Sequence, residues 1–169
     1  SDSHGVDSDC TRGVVVAALN GSAADGPVVD WAVDSAARLG APLRLVTIVD
    51  ADTPRARSGG LHGVAGVGED ACLASGHRVL DRAIERARSR CEVADLAASV
   101  SFGSPAKALV RLSERAAQVV VGAPARGRLG RTVLGSVAFP VVARACCPVV
   151  VVPADAVVAP PRHLVVGVD

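Results

Sequence analysis

Residues 118–136 read QVVVGAPARGRLGRTVLGS and are the most informative part of the sequence. It opens on an apolar run, 118–121, that is typical of a buried strand. A long glycine-containing loop follows, and a helix is predicted from about Ser136 to Ala145. A loop between a strand and a helix start offers backbone N–H groups to an anion, and Ser136 can either cap the helix or bond a phosphate oxygen. The stretch therefore predicts a phosphate-binding loop, to which Arg126, Arg128 and Arg131 add positive charge.

Strands and helices alternate on both sides of this loop. The first helix is predicted to begin with Asp25 as its N-cap and Pro27 in its first position, and to end at Gly40. A second helix is predicted from about Glu69 to Cys91, after a mobile loop over 51–68. The five predicted strands cover 13–19, 43–49, 97–102, 118–121 and 149–152. Strands that alternate with helices predict an α/β, doubly wound parallel sheet with helices on both faces.

Composition agrees with one such domain. Of the 169 residues, 50% are hydrophobic, mainly Val, Ala and Leu, which is typical of strands buried on both faces. A formal net charge of +1 argues against a general role on nucleic acid or on a membrane surface. Apolar runs are too short to span a membrane, and residues 1–12 lack the apolar centre of a signal peptide. We therefore expect a cytoplasmic protein.

Other chemistry-bearing residues form no recognisable set. The five cysteines show no CxxC spacing, so free thiols are expected rather than a metal or disulfide framework. The four histidines are scattered, and no metal site is expected. Residues 130–136 spell G-x4-G-S but lack the lysine of a P-loop, so a P-loop NTPase is not expected.

The loop resembles the nucleotide loop of the universal stress protein family, which has the form G-x2-G-x9-G-[ST]. Gly122, Ala125, Gly135 and Ser136 stand at the four anchor positions, and Ala125 alone departs from the pattern. The resemblance extends over 13–153. It includes Asn20-Gly21-Ser22, where the family usually has Asp-Gly-Ser, Gly103-Ser104-Pro105, and Cys147-Pro148 before the last strand.

This resemblance implies a strand order of 3-2-1-4-5 and a non-catalytic stress protein that binds ATP. Adenine would lie near Asn20 and Ile48, and the phosphates would lie over the glycine loop. Mg²⁺ would arrive with the nucleotide, because no acidic cluster is present in the loop. The residues expected to contact the nucleotide are Asn20, Ile48, Val121, Gly122, Ala125, Gly135, Ser136 and Val137.

Three substitutions support an alternative function. Asn20 replaces the family acid, and Ala138 stands where nucleotide-binding members often have Ser or Thr. Ala125 replaces a glycine, at a cost of roughly 1 kcal/mol if its φ must be positive. The domain can therefore be one that has lost the nucleotide and acts by dimerisation or partner recognition. An enzyme, such as a slow ATPase or a flavodoxin-like catalyst, is a third hypothesis, but no acid–base pair or activated nucleophile is visible.

The resemblance also bears on assembly. It implies a homodimer in which strand Val149–Val152 pairs antiparallel with its copy, which would cover an apolar edge. Residues 1–12 are expected to be a disordered tail or tag remnant, and 154–169 a linker plus one extra strand. That strand, 162–169, resembles the opening run and so suggests the start of a second repeat. Its segment 164–168 is a competitor for the same edge.

Overall fold

The computed structural model describes residues 13–50, 65–90, 95–125 and 134–157. Strands and helices alternate along these ranges, as the sequence predicts. In chain order the elements are β1 Val14–Leu19, α1 Asp25–Leu39, β2 Leu43–Val49, α2 Ala65–Arg90, β3 Leu96–Phe102, α3 Pro105–Ser113, β4 Ala116–Ala123, α4 Ala138–Arg144 and β5 Val149–Pro153.

The five strands form one parallel sheet in the order β3-β2-β1-β4-β5. The predicted fold class and strand order are thereby confirmed. β1 and β4 are neighbours at the centre, and the chain leaves them towards opposite edges of the sheet. A crevice outside the carboxyl ends of two such strands is where open α/β sheets bind ligands.

The sheet is covered on both faces by helices. Val15, Ala17 and Leu19 of β1 pack with α1 and α2, whereas Val14 and Val16 pack with α3 and α4. This alternation follows from the two-residue period of a strand. Because both faces of β1 are buried, its sequence is an uninterrupted apolar run instead of an alternating one.

An ion-pair cluster joins α1 to α2. The Asp30 carboxylate, whose side chain is 10% exposed, accepts two hydrogen bonds from Arg86, through Nε and Nη2, each 2.7 Å long. Arg90 lies 3.5 Å from the same carboxylate and 3.3 Å from Asp34. A buried carboxylate is stable only when it is paired in this way, so the cluster fixes α2 against α1.

The start of α1 differs from the prediction. Ala24 is the N-cap residue and Asp25 the first helical residue, which puts Pro27 third rather than first. The prediction of Asp25 as N-cap is wrong because its carboxylate bonds to the preceding loop and not to the helix. The predicted end is confirmed, since Gly40 adopts a left-handed conformation with φ of 60°.

The bounds of α2 and α4 also differ. α2 begins at Ala65, so the last four residues of the predicted loop over 51–68 are helical. No proline interrupts 65–90, and the helix therefore continues past its glycines. Although α2 is long, no helix in the described ranges is apolar enough to span a membrane. α4 begins at Ala138 rather than Ser136, which keeps Pro140 in the first turn, where its missing N–H costs nothing.

Some predictions fall outside the described residues. These are the tail over 1–12, the remainder of the loop over 51–64, the three loop arginines, and the extra strand over 162–169.

Candidate functional site

The ends of three strands bring three predicted site residues together. β1 pairs with β2 up to Leu19 and Thr47. The residues that follow them, Asn20 and Ile48, therefore lie side by side at the carboxyl edge of the sheet. β1 also pairs with β4 through Ala17 and Val120. The carboxyl end of β4, with Gly122, therefore lies at the same edge, on the other side of Asn20.

A network of hydrogen bonds holds the loop after β1. The Asn20 Oδ1 accepts a bond from the Ser22 backbone N–H at 3.1 Å. The Asp25 carboxylate accepts bonds from the N–H groups of Asn20, at 3.1 Å, and Gly21, at 2.8 Å. Asn20 is exposed, and its Nδ2 has no hydrogen-bond partner among the described residues. The loop thus presents the amide donor of Asn20 at the edge of the sheet.

Asp25 positions the loop that carries Asn20, whereas the sequence predicts it as the N-cap of α1. Burial raises the pKa of the Asp25 carboxyl above its ordinary value, while bonds from Asn20 and Gly21 and the charge of Arg82 act in the opposite direction. The sequence signal for this role is an acidic residue five positions after Asn20. A carboxylate at that distance can accept hydrogen bonds from the backbone N–H groups of the preceding loop. Its partners, however, depend on the loop conformation.

Gly122 is required by packing between β4 and the start of α1. A Cβ built on Gly122 would lie 2.7 Å from the Cβ of Ala24, which is far inside van der Waals contact. Ala24 is itself buried, at 2% exposure. Besides its position in the nucleotide loop, Gly122 therefore has a packing role. The absence of a side chain at Gly122 lets α1 approach β4 closely.

The loop after β4 begins without backbone strain. Among the described residues, positive φ values occur only at glycines, namely Gly13, Gly21, Gly40 and Gly103. Ala125 is one of the described residues and does not have a positive φ. The backbone strain that a positive φ would impose on an alanine is therefore absent. A Cβ built on Gly135 would lie 3.9 Å from the Cδ of Pro124, which shows that the two ends of the loop lie next to each other.

The segment 134–137 enters α4 without a side-chain cap. Val137 is the N-cap residue and makes no side-chain capping bond, and Ser136 is exposed in the preceding turn. The Gly135 carbonyl accepts a bond from the Phe139 N–H at 3.2 Å, and the Val137 carbonyl one from Val141 at 3.3 Å. Ser136 therefore does not cap α4, and its hydroxyl is available to a ligand.

Val121, a predicted site residue, and Ala138, which departs from the family pattern, both have buried side chains. The side chain of Val121 is 2% exposed and belongs to the core under α3 and α4, so only its backbone can reach a ligand. Ala138, at 1% exposure, packs in the same core. Its position explains the alanine, because a hydroxyl there would be buried.

The described residues at this edge form neither a reactive thiol site nor a metal site. The described cysteines, Cys72, Cys146 and Cys147, are free thiols. Burial raises the pKa of the Cys147 thiol, which keeps it protonated. Within the described part of the chain, no three His, Cys, Asp or Glu side chains are grouped as a metal site would require.

Comparison with known proteins gives consistent results. The model of the universal stress protein family matches residues 11–153. A universal stress protein of Mycobacterium tuberculosis is 33% identical over 162 residues, which cover 92% of this chain and 54% of that protein. The chain thus spans about half the length of the curated relatives it matches.

Solved structures share the fold. A universal stress protein in complex with cAMP is 25% identical, with a TM-score of 0.59 over 85% of this chain and 98% of the other. A universal stress protein from Archaeoglobus fulgidus in complex with dAMP is 23% identical, with a TM-score of 0.58 over 83% of this chain and 97% of the other.

Proposed function

The chain belongs to the universal stress protein family, and we propose that it binds an adenine nucleotide, with ATP as the ligand, at the carboxyl ends of β1 and β4. One observation carries the proposal. Asn20, Ile48 and Gly122, which are far apart in the sequence, lie together at the switch point of the sheet. The complex of a family member with cAMP supports an adenine nucleotide as the class of ligand.

The described residues fit such a ligand. Ile48 is half-buried and offers an apolar surface to a base, while the Asn20 Nδ2 offers a hydrogen-bond donor beside it. The backbone of Gly135, Ser136 and Val137, together with the Ser136 hydroxyl, would bind phosphate oxygens. Val121, Gly122 and Ala125 would contribute backbone from the other end of the loop. Mg²⁺ would be held mainly by the phosphates.

We propose binding without catalysis. Asp25 is the carboxylate closest in sequence to Asn20, and it is committed to backbone N–H groups, so it is a poor candidate for a general base. Cys147 is held as a thiol and is a poor nucleophile. We also propose a stress-response role, which membership of the family supports. Free thiols at Cys72, Cys146 and Cys147 support a reducing, cytoplasmic compartment.

A dimerisation role is the second candidate. β5 lies at an edge of the sheet, and three of its four valines, Val149, Val150 and Val151, are only half-buried. An apolar edge strand favours pairing with another strand. We propose that Val149–Val152 pairs with the same strand of a second copy. If the chain has lost the nucleotide, this dimer would be its principal function.

The organisation of the longer protein is also a proposal. Because the curated relatives are about twice the matched length, we propose that 13–153 is one universal stress domain, that 154–161 is a linker, and that 162–169 begins a second repeat.

Calorimetric titration with ATP and Mg²⁺ tests nucleotide binding. Gly135→Val adds a branched side chain beside the phosphate path, and the described residues leave room for it, so we expect the fold to persist. We expect at least a tenfold loss of affinity, about 1.4 kcal/mol. Ala37→Val, which adds the same branching on an exposed part of α1, should change affinity less than twofold. Equal affinity of Gly135→Val and the unmodified protein would contradict the site.

Sedimentation tests the dimer. We compare the full chain with a version that ends at Ala154. A dimer in both supports pairing through β5, and a dimer that forms only after truncation shows that the tail covers the edge. A folded monomer in both contradicts dimerisation.

A further inference from the structure

A groove with positive charge lies on the face of the molecule formed by α3 and α4. Its first recess, between the two helices, has a volume of about 410 Å³. It is lined by Ala106, Lys107, Val110, Arg111, Pro140 and Arg144. A second recess of about 310 Å³ also borders Arg111 and is lined by Arg44, Val46, Ile48, Ser99, Ser101, Ala108 and Leu112. We call the two recesses together the basic groove.

The sheet supplies the floor of the second recess. Val46 pairs with Ser99, and Ile48 pairs with Ser101, so these four residues lie on one face of β2 and β3. Ser99 is half-buried and Ser101 is exposed. Two hydroxyl groups are therefore accessible in the recess that Arg44 also lines. Arg44 lies two residues before Val46, on the same face of β2.

The described residues provide no ion-pair partner for the positive charges of the basic groove. The described ion pairs join Arg86 and Arg90 to Asp30 and Asp34 between α1 and α2, on the opposite side of the sheet. Across the described part of the chain, no carboxylate pairs with Arg44 or with any cation of the first recess. The groove also contains Lys107, the one lysine of a chain whose net charge is only +1.

Arg44 provides a second, independent indication of a ligand. Its Nε is buried and has no hydrogen-bond partner among the residues that the structure describes. A buried donor without a partner is unfavourable and uncommon in folded proteins. Because Arg44 lines the second recess, an anion there would satisfy this donor once the guanidinium turns towards the ligand. Arg111 borders both recesses, so one ligand could place a negative group in each.

We propose that the basic groove binds a small molecule that carries two or more phosphate groups. Guanidinium groups match the geometry of phosphate oxygens, and several cations around one recess favour a multiply charged ligand. The volumes are those of small-molecule sites. The residues that line the groove include no aromatic side chain, and so they offer no stacking platform for the bases of a nucleic-acid strand.

This site adjoins the proposed nucleotide site, because Ile48 borders both. The test therefore uses the Gly135→Val protein, in which the nucleotide site is expected to be closed. Inorganic tripolyphosphate and glucose 1,6-bisphosphate are titrated in a calorimeter at low salt. Arg111→Gln is compared with Arg88→Gln, which removes the same charge from an exposed position on α2. Circular dichroism verifies that each variant is folded.

We expect at least one probe to bind, with affinity lowered at least tenfold by Arg111→Gln and less than twofold by Arg88→Gln. Tighter binding of tripolyphosphate would identify inorganic polyphosphate as the source, and tighter binding of the sugar bisphosphate would identify a phosphorylated metabolite. The proposal is overturned if neither probe binds, or if both arginine variants weaken binding equally. A hexaglutamate peptide that binds as tightly as either probe would also overturn it. If ATP binds equally to Gly135→Val and the unmodified protein, the nucleotide site is wrongly assigned. The comparison of Arg111→Gln with Arg88→Gln then still tests the basic groove.

Discussion

Replacement of Gly122 by alanine will destabilise the protein through a single new contact. The added Cβ would lie 2.7 Å from the Cβ of Ala24, whereas carbon atoms in good contact are about 3.5–4.0 Å apart. α1 or β4 must therefore move by roughly 1 Å. Overpacking of a close-packed core costs about 1–3 kcal/mol. For a domain of this size, each kcal/mol lowers Tm by about 2–4 °C.

Urea unfolding followed by circular dichroism measures this cost, and a double-mutant cycle assigns it. Ala24→Gly removes the methyl group that clashes, at an N-cap position where glycine is favoured over alanine. The double variant should regain about 1 kcal/mol or more relative to additivity. Gly135→Ala is the control, because among the described residues its Cβ would meet only Pro124 Cδ, at 3.9 Å. It should change stability by less than about 0.5 kcal/mol. Equal stability of Gly122→Ala and the unmodified protein, or no coupling to Ala24, would refute the reasoning.

Three further predictions concern stability. Arg86→Ala leaves the buried Asp30 with only Arg90 as a charge partner. It should lower the free energy of unfolding in urea by about 1–3 kcal/mol. Arg88→Ala, at an exposed position, should lower it by less than about 0.5 kcal/mol. Equal losses would contradict a structural role for the Arg86–Asp30 pair. The Asp25 pKa is raised by folding, so this carboxyl contributes most stability at low pH and loses it as pH rises through its folded pKa. The difference in free energy of unfolding between the unmodified protein and Asp25→Asn should therefore fall from pH 4 to pH 7, and a rise would be contradictory. Ala125→Gly relieves no positive φ and should lower the melting temperature slightly, whereas an increase would show strain at Ala125.

The sequence predicts the fold well because most of the strands are buried runs. The bounds of β2, 43–49, follow directly from its apolar pattern, and the structure agrees with them. The order of the strands came from the resemblance of the glycine loop to a family, since periodicity carries no information on which strands are neighbours. Helix starts were predicted less well. At Asp25 the side chain bonds to residues that precede the helix, and a local capping rule does not anticipate this.

The site could be predicted only in part. The family resemblance makes β1 and β4 neighbours, and the carboxyl ends of neighbouring parallel strands meet at one edge, which predicts that Asn20 and Gly122 lie together. The contact between Gly122 and Ala24 depends on how closely α1 approaches the sheet. The basic groove joins Arg44 of β2 to Arg111 of α3, and their proximity arises from helix packing. Such contacts between distant segments leave no local pattern in a single sequence.

The central claim is that an adenine nucleotide binds at the carboxyl ends of β1 and β4. Backbone amide chemical shifts, recorded by NMR during titration with ATP and Mg²⁺, test it most directly because each amide reports on its own surroundings. The account predicts the largest saturable shifts at Asn20, Gly122, Gly135 and Ser136. An absence of shifts, or shifts confined to the basic groove around Arg111, would contradict it.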